Sequence, residues 1–258
     1  ITAGVLALKW DSLDFSDSVA TNFGSLVVDP IMSLATHSID VTAGLKGIFW
    51  FGSISDHVAA AYRKYLFGDA TLQDITAKDT FNSPFFIFNA TNVQSGVLWR
   101  FARPYMWDNR VGEVKDPKIQ LATAVAASSA FPPFLSPATL DLTPSEFEAN
   151  SGKDMQDDEY RETIVLTDGG VYDNLGLETV WKNFRTVLVS DGGGGYDPQA
   201  KPSRNWFMHT YRILNTIDNQ VRSLRKRQGV DSYNAEIRDG AYWSIRTDMA
   251  NGYSVPSM

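Results

Sequence analysis

The sequence contains no cysteine, which excludes disulfides, thiolate nucleophiles and cysteine-ligated zinc together. It has three histidines, His37, His57 and His209, and no H-E-x-x-H pair, so a histidine-rich metal centre would need residues from distant segments. No metal site and no cofactor are expected. No apolar run approaches the length of a transmembrane helix. The opening stretch ITAGVLALKW lacks a basic start and a cleavage site, and reads as a buried helix rather than a signal peptide. Positive charge is also short: 23 Lys and Arg against 30 Asp and Glu give a net charge of −7, which argues against a general nucleic-acid partner. The expected setting is cytoplasmic or membrane-peripheral.

What is present is a globular composition, 258 residues with 43% hydrophobic and 21% charged. A chain of this length buries roughly three quarters of its unfolded surface, so one domain over 1–258 is expected. SISDHVAAAYRKYLFG (53–68) predicts a helix, with Ser53 and Asp56 in a capping-box arrangement and Gly68 as its stop. SPFFIFNAT (83–91) and VLWRFA (97–102) predict a hairpin around the NVQSG turn. Asp116-Pro117 reads as a helix start, followed by a run of Ala and Ser that permits close helix packing, and Pro132-Pro133 reads as its end. The acidic stretch 143–162 reads as a mobile loop. TIVLTDGG and TVLVSDGGGG each present a β-branched run ending in Asp-Gly, with Asn174 as the expected cap of the helix between them. A long amphipathic helix (205–228) follows, with Ile213, Leu214, Ile217, Val221 and Leu224 on one face, and then a strand at 241–248. Strands separated by helices imply an α/β fold with a mostly parallel central sheet, in which 163–168 and 186–190 pair side by side.

Ligands of open α/β sheets bind beyond the carboxyl ends of the strands. Asp168, followed by Gly169 and Gly170, occupies such an end. Partial burial there raises the basicity of a carboxylate, and the glycines admit a close backbone or substrate. The same three residues are equally compatible with a plain strand-to-helix turn in which Asp caps a backbone N–H. Ser190, before Asp191 and Gly192, has the second half of a nucleophile elbow but Leu188 where the elbow needs glycine. Ser128 and Ser129 fall in the Ala-rich helix and read as packing residues; the histidines read as surface or capping residues. LKGIFWFG (45–52) reads as core or as an interfacial lid. Arg222, Arg225, Lys226 and Arg227 suit a helix C-terminus or a head-group site, and Asp154, Asp157, Asp158 and Glu159 a solvated loop rather than a calcium loop.

ITAGVLALKW, FNATNVQSG, AVAASSAFPPFLSP and LTDGGVYDNLGLE occur in this order, and together they resemble the patatin-like phospholipases. That resemblance implies an α/β serine acyl hydrolase working through a Ser-Asp dyad. It makes Asp168 the general base, Gly169 and Gly170 the rest of its D-G-G motif, and SSAFPPFLSP a segment packed beside the site. The family's G-x-S-x-G elbow and its G-G-G-x-[RK] oxyanion loop do not occur in the sequence; Gly192 to Gly195 lie in the wrong place for the latter. The family's serine often precedes a segment like ITAGVLALKW directly, so the nucleophile is expected upstream of Ile1, with the first helix starting close to Asp168. Two functions remain open: a lipid acyl hydrolase with a lipid or ester substrate and peripheral membrane contact, or a non-catalytic lipid-binding or interaction module on the same fold. The residues encoded before Ile1 discriminate them.

Overall fold

The computed structural model describes residues 1–37, 54–77, 83–193 and 196–244. The aromatic segment 45–52 lies outside them, as do Ser53 and the last residues of the expected 241–248 strand. By its internal contacts the chain divides into two units, Ile1–Tyr172 and Asp173–Met258.

In the first unit the expected hairpin forms from β3 (Phe88–Asn92) and β4 (Val97–Phe101), after a small hairpin of β1 (Phe15–Ser16) and β2 (Val19–Ala20). β4 carries Leu98, Trp99 and Phe101 into the core. β5 (Tyr105–Asp108) and β6 (Gly112–Lys115) extend the sheet on one side; β8 (Thr163–Asp168) and β7 (Ala138–Asp141) extend it on the other. The order is β6-β5-β4-β3-β8-β7, and every pairing is antiparallel.

This corrects the expected mostly parallel sheet. The apolar run 164–166 reads as a parallel strand, but its burial alternates: Ile164 and Leu166 are fully buried while Thr163 and Val165 are half-buried. The 142–162 connection into β8 contains only short 3₁₀ turns. A parallel partner needs a crossover long enough to return to the same end of the sheet, usually through a helix; without it the strand comes back antiparallel. Both edges of β8 are then occupied, by β3 and β7, and the expected pairing with 186–190 does not form.

Among the described residues, four helices accompany the sheet: α1 (Thr2–Lys9), α2 (Asp29–Thr36), α3 (Ile54–Tyr62) and α4 (Leu121–Ser128). α3 runs on as a π turn through Phe67 and stops at Gly68, whose φ of +56° suits glycine. α4 begins four residues later than Asp116-Pro117 suggested, with Gln120 as N-cap. Asp116 instead adopts φ +43° in the turn after β6. The small residues of α4 act as expected: Ala122, Ala124, Ala126 and Ala127 are buried, and a Cβ on Gly4 of α1 would come within 2.9 Å of Val125 Cγ2.

The 143–162 segment is tied down rather than loose. Phe147 is buried beneath the Arg161 guanidinium at 4.8 Å, and Arg161 Nη2 donates to Val111 O at 2.8 Å. Arg110 grips Asp154 at 2.6 Å. Beside it, the fully buried Asp108 accepts from Asn92 Nδ2 (2.9 Å), Ser95 Oγ (2.5 Å) and the Arg110 N–H (2.8 Å), linking the two hairpin turns.

In the second unit β9 (Thr186–Asp191) and β10 (Asp239–Ser244) pair in parallel. Between them runs α7 (Trp206–Asn234), capped by Asn205 Oδ1 on the N–H groups of Phe207 and Met208. The chain leaves the first unit through the short α5 (Gly170–Asp173), which closes the Asp-Gly-Gly turn, and α6 (Leu177–Trp181) precedes β9 in the second.

Replacing Asp108 by Ala leaves two buried side-chain donors without their acceptor, each costing about 1–3 kcal/mol. Urea denaturation is expected to show a loss of at least ~2 kcal/mol for Asp108→Ala, and a smaller loss for Asp108→Asn, which keeps an acceptor oxygen. A change within ~0.5 kcal/mol for Asp108→Ala would place this network outside the stability of the fold.

Candidate functional site

Asp168 is the last residue of β8, and main-chain groups from separate segments hold it in place. Its own N–H donates to Ala130 O at 3.0 Å, and the Gly169 N–H reaches Ser128 O at 3.4 Å. Thr167 Oγ1 also donates to Ala130 O, at 2.9 Å. From the other side, Thr91 Oγ1 donates to Asp168 O (2.8 Å) and accepts from the Tyr172 N–H (3.2 Å), clasping both ends of the Asp-Gly-Gly turn. Gly169 is required by proximity: an added Cβ would run into the Asn89 carbonyl of β3.

The half-buried Asp168 carboxylate is oriented by the Gly170 N–H, which donates to Oδ1 at 2.6 Å. The capping role weighed from sequence is therefore present. The start of α1 lies against α4: a Cβ on Gly4 would come within 2.9 Å of Val125 Cγ2, and the end of α4 carries the carbonyls that hold Asp168 and Gly169.

The start of α1, β3, the segment after α4 and the turn after β8 therefore meet at one place. They belong to the four ordered segments singled out in the sequence. A family model for patatin-like phospholipases matches residues 2–181. The chain belongs to the patatin-like phospholipase family. No curated protein matches it. Membership of the patatin-like phospholipases carries an α/β class, lipid acyl hydrolysis and a lipid substrate at the level of the family. In this member the sheet of the first unit is the antiparallel one described above.

The other sequence-derived residues of this family member take different places. Ser190 lies inside β9, not at a strand-to-helix elbow, and its side chain is on the exposed face. Its neighbour Asp191 faces the opposite way and is buried; it accepts from Tyr242 Oη (2.5 Å) and the Gly193 N–H (2.9 Å), with Arg222 Nη1 at 3.8 Å. Burial, reinforced by the bond to Asp191, pushes the Tyr242 hydroxyl far above its usual range. Ser129 bonds back to Val125 O at 2.8 Å, the packing role expected of it. His57 and His209 are exposed, and His37 Nδ1 meets Ser33 O at 2.7 Å. Asp173, not Asn174, caps α6: its buried Oδ2 accepts from the Glu178 N–H at 2.5 Å, with Arg225 Nε at 4.0 Å. Asn174 turns instead to Asp218. Sequence reasoning missed Thr91, whose only signal was its place in FNATN.

Gly169→Ala is expected to force β3 and β8 apart at the Asn89 contact and to destabilise the protein by about 1–3 kcal/mol. Thermal melting checks this, and an unchanged midpoint would show that the close approach is not required.

Proposed function

We propose that this patatin-like phospholipase domain hydrolyses lipid esters through a Ser-Asp dyad, with Asp168 as general base and the serine carried by residues preceding Ile1. The observation that supports this reading is that Gly4, at the start of α1, lies against Val125 of α4, whose far end supplies the carbonyls that hold Asp168 and Gly169. A serine just ahead of α1 would stand beside the Asp168 carboxylate. The helix N-terminus there also favours negative charge, which assists a carboxylate and a developing oxyanion alike.

The serine hydroxyl attacks the ester carbonyl and gives its proton to Asp168. The tetrahedral intermediate expels the alcohol, which takes that proton and leaves an acyl-enzyme. Water then attacks the acyl carbonyl, with Asp168 again accepting the proton, and the serine is released with the fatty acid. A carboxylate is a weak base for a hydroxyl, so the contact must be close and poorly solvated. The anchoring of Asp168 Oδ1 by Gly170 and of its carbonyl by Thr91 suits that demand.

In a polypeptide that carries the serine ahead of Ile1, Asp168→Asn is expected to lower kcat about 10²- to 10⁴-fold with little change in KM, because the base acts only in the transition state. The exposed Asp157→Asn serves as control and should leave the rate unchanged. Asp173 is unsuited to that role because it is buried and caps α6. The 258-residue chain by itself is expected to turn over no p-nitrophenyl ester. Turnover by this chain that disappears in Ser190→Ala would make Ser190 the nucleophile and overturn the reading, as would full activity of Asp168→Asn.

A further inference from the structure

The long helix α7 packs the wrong way round for a helix of an ordinary core. Toward β9 and β10 it presents polar groups. Arg222 faces Asp191 at 3.8 Å, Tyr233 Oη donates to Val187 O at 2.7 Å, and Lys226 lies over the Tyr242 ring at 4.6 Å. Away from them it presents Trp206, Ile213, Ile217 and Leu224, exposed by 77, 46, 54 and 58%. At 100° per residue these four, seven, four and seven apart, fall on one line about 27 Å long. This is much of the apolar face that the sequence announced, and it looks outward.

Charge is arranged to match. The second unit carries a formal charge of +2, whereas residues 1–172 carry −9. Exposed Arg204 stands just before Trp206, and exposed Arg227 just after Leu224; the first carboxylate on the line, Asp231, comes two turns beyond Leu224. Among the described residues no helix is long and apolar enough to cross a membrane. A helix of this kind lies flat at the boundary between head groups and acyl chains, held by its apolar line and by basic residues at anionic lipid.

We propose that the outward line of α7 is a docking face for the surface of an anionic phospholipid bilayer. The proposal rests on the reading of this domain as one that acts on lipid, and it names the surface by which the domain would reach that lipid.

The test uses the 258-residue chain in flotation with phosphatidylcholine vesicles and with mixed phosphatidylcholine–phosphatidylglycerol vesicles. The wild type is expected to float with the mixed vesicles and more weakly with phosphatidylcholine alone. Ile213→Ser/Ile217→Ser should reduce partitioning about tenfold or more, since two inserted side chains are lost. Arg204→Gln/Arg227→Gln, or high salt, should reduce it several-fold. Leu224→Trp should raise it. Unchanged partitioning of the isoleucine double variant would overturn the proposal. So would a wild-type dimer in light scattering that the same double variant splits, because the face would then belong to a second copy of the chain. Flotation is read without turnover, so the two readings fail separately. A polypeptide that carries the serine ahead of Ile1 and floats but cleaves no ester loses only the hydrolase reading, and one that cleaves lipid without floating loses only the docking face.

Discussion

Everything at the site follows from how closely β8 lies against β3. The pairing places Ala90 opposite Asp168, and beyond it the chain passes so near Asn89 that position 169 has no room for a side chain. Once Gly169 is pressed there, its N–H and that of Asp168 point at the carbonyls leaving α4, and Thr91 closes the turn from behind. Main-chain bonds from the segment after α4 and the Thr91 hydroxyl of β3 thus hold the turn that carries Asp168.

Much of this was legible in the sequence, for identifiable reasons. The Asp-Gly-Gly turn, the Ala-rich helix beside it and the β3–β4 hairpin each carry local signals: glycine where space is short, small residues where helices touch, a turn between two β-rich runs. Strand direction carries no such signal. β8 reads as a buried strand, and Ile164, Leu166 and Thr167 are buried in it, but whether its neighbours run parallel depends on what connects them. The connecting 143–162 segment looked like loose acidic chain, because its anchors, Phe147 under Arg161 and Asp154 on Arg110, depend on partners 14 to 44 residues away. Asp108 was invisible for the same reason: its donors come from Asn92, Ser95 and Arg110 on two different hairpins.

Three carboxylates, Asp168, Asp173 and Asp191, follow short apolar stretches and precede or accompany a backbone N–H bond, so sequence spacing does not separate them. The structure does. Asp173 and Asp191 are buried, each within 4.0 Å of an arginine, and each bonds a nearby backbone N–H. Those are the features of carboxylates that hold a fold together. Asp168 is only half-buried. The proposed base must be reachable as well as oriented, and of these three Asp168 is the one not fully buried.

The same reasoning explains why α7 resisted a sequence reading. An amphipathic pattern states that a helix has two unlike faces; it does not state which face turns inward. In this unit the inward side is claimed by groups that must not be left bare once buried: the Asp191 carboxylate, the Val187 carbonyl and the Asp218 side chain all find partners there. A buried carboxylate without a partner costs more than an exposed isoleucine. The polar face therefore settles the orientation of the helix, and the apolar line is left facing out as a consequence of satisfying charge first.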